Sequence, residues 1–277
     1  MGYILETEDD LSLERISESG QCFRWEKLDE DTYRVPHLSY CLIIKRVGEG
    51  RFRLSCDSGE YESIWRPYLD MDTDYRSIRS LVRKEEDAFL YDACEYGRGI
   101  RILRQDPWET LISFIISQNR NIPAIKRSVE MLCREAGNEK RDAEGRVYFT
   151  FPSPEGIISM KDEKLNECRL GYRCGYVRAA AEAVASGRIV LSELAGRSEE
   201  ETVRVLTSLY GVGPKVASCM SLFGLHHVDA FPIDVWIRRI LEREYPEGYP
   251  MEKYRPYNGI YQQYMFYYYR ENNGQVG

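Results

Sequence analysis

The 277-residue chain is 43% hydrophobic and 30% charged, a balance typical of a globular protein with one large domain or two to three small ones. Its net charge of −7 excludes broad, non-specific affinity for polyanions but leaves room for a local basic face. The chain has no apolar run of about 18 residues, as a membrane-spanning helix would need, and its acidic start does not resemble a secretory signal. We therefore expect an intracellular protein without a membrane partner, cytoplasmic if the source is a prokaryote.

The eight cysteines are scattered, and none forms a C-x-x-C pair. Only Cys168 and Cys174 lie near each other in the sequence. Zinc ribbons, redox dithiols and iron–sulfur clusters all need closer spacing. The pattern predicts reduced thiols and no iron–sulfur cluster.

The first part of the chain is predicted to be rich in β-strands. The segments "YCLIIKRV" and "RFRLSC", joined by "GEG", read as a hairpin because Phe52, Leu54 and Cys56 alternate with polar residues. From about residue 73 the apolar spacing becomes helical. Four basic clusters, which begin near Arg98, Arg120, Arg169 and Arg238, are most simply solvated faces.

Start and stop signals define the helices that follow. Asp106 as N-cap, Pro107 at N1 and Glu109 at N3 open one helix, and Ser198 with Glu201 caps another. Further helices are predicted from about 123 to 137 and across "FPSPEGIISM", "GYVRAAAEAVASG", "DVWIRRILERE" and "NGIYQQYMFYYYRE". The predicted fold is α+β, with an antiparallel sheet domain with flanking helices at 1–98 and a helical region at 99–277.

The segment "LYGVGPKVASC" (209–219) predicts a hairpin between two helices. Gly211 and Gly213 permit the tight turn, and Pro214 suits the first position of a helix. A helix-hairpin-helix presents backbone N–H groups to a phosphate, which gives sequence-independent contact with DNA. Lys215 lies in the first turn, where the helix dipole disfavours a positive charge and favours a neutral, nucleophilic amine. The alternative is a solvated surface lysine.

Asp234 in "AFPIDVWIRR" stands directly before a helix. Its simplest role is that of an N-cap. A capping carboxylate accepts backbone hydrogen bonds and stays ionised, so Asp234 could also stabilise a nearby cation electrostatically.

Several separate motifs give the chain a resemblance to a known family. They are "SGQCFRW", "RILRQDPWETLISFIISQNRNI", "LGYRCGYV", "GVGPKVASC…AFPIDVWI" and "GIYQQYMF", and they run nearly end to end. In this order they resemble the eukaryote-like 8-oxoguanine DNA glycosylase/AP lyases of the helix-hairpin-helix/Gly-Pro-Asp superfamily. The resemblance implies a helical core at 121–242 with the hairpin at about 198–224, and a second helical subdomain from 99–120 and 243–277.

The resemblance implies a DNA repair enzyme that needs no cofactor for catalysis. Lys215 matches the nucleophile that attacks the sugar C1′ and forms a Schiff base, from which β-elimination gives lyase activity. Asp234 matches the aspartate that stabilises the cationic sugar. Superfamily members without this lysine are monofunctional, so Lys215 is the discriminating residue.

The resemblance also assigns the pocket for the flipped base. Phe266 would stack on the base, Gln262 would bond its Watson–Crick edge, and Cys219 would cover the other face. The carbonyl of Gly20 would read the N7–H that distinguishes 8-oxoguanine from guanine. Without the resemblance, these positions read as helix packing and a turn glycine.

The implied partner is double-stranded DNA containing 8-oxoguanine, bound by a monomer. Asn119, Tyr172 and Arg173 match the residues around the orphaned cytosine. The implied DNA contacts of the hairpin are Gly211, Gly213 and Val216. The backbone carbonyls that could hold a structural cation, as in relatives, belong to Thr207, Leu209 and Val212.

Three positions depart from the eukaryotic pattern. Ala124 replaces an arginine that reads cytosine, which predicts a relaxed opposite-base preference. Trp236 replaces a phosphate-contacting histidine, and Tyr269 replaces its acidic partner. Two alternatives stay open: a glycosylase of the same superfamily for alkylated or other oxidised bases, and a non-catalytic DNA-binding module.

Overall fold

The computed structural model describes residues 2–273. Met1 and residues 274–277, at the ends of the predicted regions, lie outside the described residues. An antiparallel five-stranded sheet, in the order β1-β5-β4-β3-β2, forms the N-terminal part. Its strands are β1 Tyr3–Glu6, β2 Glu26–Lys27, β3 Thr32–His37, β4 Tyr40–Gly48 and β5 Arg51–Leu54.

The predicted β-hairpin is confirmed as β4 and β5. Ile44 pairs with Leu54, and a bulge lies between Arg46 and Gly48. Phe52, Leu54 and Cys56 are buried, as the alternation predicted, because they face the hydrophobic core of the sheet.

Helical structure begins earlier than the predicted residue 73. The helices of this part are α1 Leu13–Glu18, α2 Ser58–Glu60, a π-helical turn Tyr61–Trp65, α3 Arg66–Tyr68, α4 Tyr75–Ser80 and α5 Ala88–Tyr96. Tyr61, Trp65 and Tyr68 lie three or four residues apart and are buried in the core of the sheet. That helical spacing was a usable signal within a part read as β-rich.

The rest of the described chain is mainly helical. Its helices are α6 Pro107–Ser117, α7 Ile122–Ala136, α8 Pro154–Ser159, α9 Asp162–Glu167, α10 Arg173–Ala185, α11 Leu191–Leu194, α12 Glu199–Thr207, α13 Pro214–Gly224, α14 Val235–Glu244, α15 Met251–Tyr254 and α16 Asn258–Asn273. A short hairpin, β6 Glu139–Arg141 and β7 Val147–Phe149, was not predicted.

The predicted helix caps are confirmed. Asp106 accepts a hydrogen bond of 2.8 Å from the Glu109 N–H at the start of α6. Ser198 and Glu201 form a reciprocal capping box at the start of α12. The predicted α+β fold class, with a sheet domain before a helical region, is likewise confirmed.

Helix α6 lies at the centre of the helical region. Every residue from Thr110 to Ile116 is buried, and the helix packs against α7, α10 and α13. This packing places the N-terminus of α13, which carries Lys215, against the middle of the molecule. Within residues 2–273, no helix has both the length and the apolar character needed to cross a bilayer.

A buried arginine joins the sheet to the helices. Arg101 is only 1% exposed, and its guanidinium contacts the Asp9 carboxylate at 3.0 Å and the Asp70 carbonyl at 2.9 Å. Arg101 belongs to the basic cluster that begins at Arg98, so the prediction that this cluster is a solvated face is wrong for Arg101. Helices α4 and α5, within the predicted domain 1–98, contribute buried residues to the larger helical core. The domain limits themselves stay a prediction.

Candidate active site

The hairpin between α12 and α13 has the predicted conformation. Gly211 has φ of +81°, and a Cβ there would fall 2.1 Å from the Tyr176 ring, so this position requires glycine. Gly213 is the N-cap of α13. The Gln118 side chain donates a hydrogen bond of 3.0 Å to the Gly211 carbonyl and ties the hairpin to the end of α6.

Lys215 is half-buried in the first turn of α13. Its Nζ lies 5.3 Å from the centroid of the Phe114 ring, within the range of a cation–π contact. Phe114 stacks in turn on Phe223, with ring centroids 5.5 Å apart. The lysine is therefore held at an aromatic wall, and the alternative of a fully solvated surface lysine does not fit this placement.

Asp234 is the N-cap of α14. Its Oδ1 accepts a hydrogen bond of 2.8 Å from the Ile237 N–H, so the predicted capping role is confirmed. Asp234 and Lys215 together line an inner cavity of about 60 Å³ and an adjoining, open cavity of about 610 Å³. The helix starts of α13 and α14 thus bring an amine and a carboxylate to one cleft.

The four residues predicted to recognise the base all line the inner cavity: Gly20, Cys219, Gln262 and Phe266. The Gln262 side chain donates a hydrogen bond of 3.0 Å to the Pro232 carbonyl, which fixes the amide. Its Oε1 is buried and has no hydrogen-bond partner within residues 2–273. Burial raises the pKa of the Cys219 thiol, although nearby Lys215 opposes that rise. The thiol is therefore a neutral, apolar wall at neutral pH.

The loop around Gly20 is anchored on both sides. Gly20 has φ of +79°, and the Gln263 amide donates a hydrogen bond of 2.9 Å to the Ser19 carbonyl. The amide of buried Gln21 contacts the Ser19 hydroxyl and the Arg101 carbonyl, both at 2.9 Å. These bonds hold the Gly20 backbone in one position at the cavity.

The residues predicted to contact DNA differ in exposure. Asn119 is exposed with φ of +52°, and Tyr172 is 57% exposed. Arg173 is only 5% exposed, and its Nε donates a hydrogen bond of 2.9 Å to the Gln118 carbonyl. An open groove of about 890 Å³ runs past the cleft and brings together Asn119, Tyr172, Gly213 and Val216 with Lys215 and Asp234.

Two family models together match residues 3–249. Residues 3–111 match the 8-oxoguanine DNA glycosylase N-terminal domain, and residues 112–249 match the HhH-GPD superfamily base excision DNA repair protein. The chain is also 38% identical to a solved structure of MBOgg1 in complex with a low-affinity DNA ligand. That match covers 97% of this chain and 95% of the other, with a TM-score of 0.91.

The chain belongs to the 8-oxoguanine DNA glycosylase family of the HhH-GPD superfamily. Two further relatives agree with this assignment. The N-glycosylase/DNA lyase of Saccharomyces cerevisiae is 35% identical, over 88% of this chain and 71% of that protein. The Clostridium acetobutylicum 8-oxoguanine glycosylase/lyase, in complex with DNA holding cytosine opposite 8-oxoG, is 31% identical with a TM-score of 0.89 and 98% coverage of both chains. The predicted class, N-glycosylase/DNA lyase, is confirmed.

Of the three departures from the eukaryotic pattern, Trp236 lines the open cavity and the groove of this glycosylase. The Trp236 ring centroid is 6.4 Å from that of Tyr269, and the Arg239 guanidinium lies 5.2 Å from the indole. Trp236 and Tyr269 therefore form an aromatic pair. Ala124 lies in the first turn of α7, where its N–H bonds to the Asn121 cap at 3.0 Å.

Sequence reasoning missed three residues around the glycosylase's pocket. The Phe114 ring was read only as part of an apolar helix face, and Gln263 and Arg270 were not singled out. Their positions carried a weak signal, since Gln263 follows Gln262 and Arg270 lies four residues after Phe266. The described residues hold no group of three or more His, Cys, Asp or Glu side chains arranged for a metal ion.

Proposed function

We propose that this glycosylase excises 8-oxoguanine from double-stranded DNA and then cleaves the strand through a Schiff base on Lys215. The observation that carries the proposal is the shared cavity, in which Lys215 and Asp234 face the predicted base-recognition residues. The relatives named above, one of them described as a complex with 8-oxoG opposite cytosine, support the same substrate.

The pocket suits the edge of an oxidised guanine. The Watson–Crick edge of guanine presents an N2 amino donor, and the unpartnered Gln262 Oε1 is an acceptor available to it. The phenyl ring of Phe266 offers a stacking surface in the same cavity. Oxidation turns N7 from a hydrogen-bond acceptor into a donor. The anchored Gly20 carbonyl is the group that would accept the hydrogen bond from N7–H.

The chemistry follows from the amine and the carboxylate in the cleft. The neutral Lys215 amine bonds to C1′, and the glycosidic bond breaks with its electron pair leaving on the base. Asp234, which its capping hydrogen bond holds at the start of α14, stabilises the cationic sugar electrostatically. Sugar ring opening gives the Schiff base, and loss of a C2′ proton then expels the 3′ phosphate.

The hairpin between α12 and α13 supplies the contacts to the phosphate backbone of the DNA. The N-terminus of α13, with Gly211, Gly213 and Val216, offers backbone N–H groups to a phosphate, which suits a protein of net negative charge. The carbonyls of Thr207, Leu209 and Val212 would supply oxygen ligands, the kind that a hard cation prefers. The Leu209 carbonyl already accepts one hydrogen bond, of 3.1 Å from Val212 N–H, and keeps a second lone pair for such an ion.

The orphaned base would meet Asn119, Tyr172 and Arg173. Arg173 acts partly through the backbone, because its bond to the Gln118 carbonyl holds the loop that presents Asn119. With Ala124 in place of an arginine, one bidentate reader of the opposite base is missing, so we propose a relaxed preference for cytosine. We further propose that the enzyme acts as a monomer.

Borohydride trapping on duplex DNA containing 8-oxoguanine tests the proposal. We expect the wild-type enzyme to form a covalent adduct and Lys215→Gln to form none while it still binds the duplex. Asp234→Asn should cap α14 nearly as well, since asparagine is also a good N-cap, yet lose most of the excision rate. Tight binding without an adduct in the wild type would leave a monofunctional glycosylase or a binding module.

A further inference from the structure

Arg270 is a basic residue at the cleft that the proposed chemistry does not use. It lies one helical turn after Phe266 on α16 and lines the open cavity of about 610 Å³. Its guanidinium carbon is 5.6 Å from the Phe266 ring centroid, and its side chain is only 19% exposed. A partly desolvated arginine in this position makes a favourable cation–π contact.

The charges around Arg270 hold it beside the ring. Its Nε and Nη2 contact the Glu271 carboxylate at 3.3 and 2.9 Å. Burial raises the pKa of nearby Glu18, as do Glu14 and Glu271, while Arg270 lowers it. The Nη1 atom is buried without a partner within residues 2–273. The guanidinium carbon also lies 5.7 Å from the Tyr267 ring centroid, so two rings and Glu271 place it rather than a complete set of hydrogen bonds.

Phe266 is confined from a second side by the Gly20 loop. A Cβ on Gly20 would lie 3.3 Å from the Phe266 ring edge, closer than an ordinary van der Waals contact. The ring therefore lies against a glycine on one side and a guanidinium on another. An aromatic ring fixed in this way loses less conformational entropy when a base stacks on it.

We infer that Arg270 is a positioning residue for base recognition: it holds the Phe266 ring in the orientation on which the flipped base stacks. The inference rests on the proposed function, in which Phe266 contacts the damaged base. It concerns only the step in which a base occupies the pocket. An abasic site has no base to stack, so cleavage at an abasic site should not depend on Arg270.

Two single-turnover reactions test this role: excision of 8-oxoguanine, and strand cleavage at a preformed abasic site. Arg270→Met keeps much of the apolar stem and removes the charge. We expect it to slow excision about threefold to tenfold, as a lost cation–π contact would, and to leave abasic cleavage within about twofold of the wild type. Arg270→Lys, which keeps a cation, should recover part of the excision rate.

Lys253→Met is the matched control, because Lys253 also lies over an aromatic ring, 5.1 Å from the centroid of Tyr254, away from the cleft. It should leave both rates unchanged. An equal loss in both reactions for Arg270→Met, a loss in cleavage alone, or no loss in either would overturn the inference. Failure of the proposed function is distinguishable in the wild type: a monofunctional glycosylase would excise the base without cleaving the abasic strand, and a binding module would act on neither substrate.

Discussion

The amine of Lys215 lies over the ring of Phe114, with Nζ 5.3 Å from the ring centroid. The helix N-terminus disfavours a positive charge at this position, whereas the ring face favours one. In the proposed mechanism, the protonated Schiff base on this lysine is also cationic. We therefore expect the ring both to hold the amine in the cleft and to stabilise the charge on the covalent intermediate.

Replacing Phe114 by leucine should slow both reactions of the enzyme. Phe114→Leu keeps an apolar side chain but removes the ring, so Schiff-base formation should fall about threefold to tenfold with 8-oxoguanine and abasic DNA alike. Single-turnover borohydride trapping measures this rate. Phe114→Tyr, which keeps the ring, is the control. An unchanged trapping rate in Phe114→Leu would show that the ring does not act on the lysine.

The anchor of the Gly20 loop should matter more for base excision than for lyase activity. In Gln263→Leu the Ser19 carbonyl loses its buried donor, which costs about 1–3 kcal/mol of stability. The Gly20 carbonyl then loses its fixed position, so excision of 8-oxoguanine should fall more than cleavage at an abasic site. Urea unfolding and the two single-turnover rates measure these effects. Equal losses on the two substrates would argue against the anchoring role.

An arginine at position 124 should sharpen the choice of opposite base. The wild type should excise 8-oxoguanine at similar rates opposite several bases, because the methyl group of Ala124 offers no hydrogen bond to a base edge. Ala124→Arg should favour cytosine by about 1–3 kcal/mol, the value of one bidentate base contact. Excision rates opposite each of the four bases measure the preference. A steep preference for cytosine in the wild type would refute the interpretation of Ala124.

Stability should fall as the pH drops from about 6.5 toward 4 because of His37. Burial against the Tyr68 ring, whose centroid is 4.4 Å away, and the nearby Arg24 charge lower the pKa of His37 to about 4. The unfolded chain binds a proton near pH 6.5, so protonation favours unfolding in this interval. The free energy of unfolding should fall by up to about 3 kcal/mol.

Urea unfolding at pH 7 and pH 5 tests this dependence. His37→Phe removes the titrating group while it keeps an aromatic ring beside Tyr68, so its stability should change less between the two values. If the free energy of unfolding changes equally between pH 7 and pH 5 in the variant and the wild type, other groups cause the pH dependence.

Local signals predicted the elements that depend on neighbouring residues. The caps at Asp106 and Ser198 and the hairpin at Gly211 each rest on contacts within a few positions, so the sequence pattern was sufficient. Arg101 shows the opposite case, because it contacts Asp9 across 92 positions and its burial depends on the whole fold. Arg173 likewise looked like a groove-facing residue, yet its guanidinium bonds to the Gln118 carbonyl in the loop before α7 and to the Leu170 carbonyl just before α10.

In the site, the motif residues could be assigned from the sequence, whereas their supporting contacts could not. Lys215, Asp234 and Gln262 come from three helices that only the packing of α13, α14 and α16 brings to one cavity. The contact of Phe114 with the lysine and the bond of Gln263 to Ser19 depend on side-chain positions. No local pattern encodes those positions, so the structure was required to find them.

The most direct test of the proposed mechanism is to locate the covalent bond between the enzyme and the DNA. After borohydride trapping on 8-oxoguanine duplex DNA, the adduct is digested with nuclease and protease, and the modified peptide is sequenced by mass spectrometry. A Schiff base on Lys215 should leave a deoxyribose remnant on Lys215 and on no other residue. A remnant on a different lysine or on the amino terminus, with Lys215 unmodified, would contradict it.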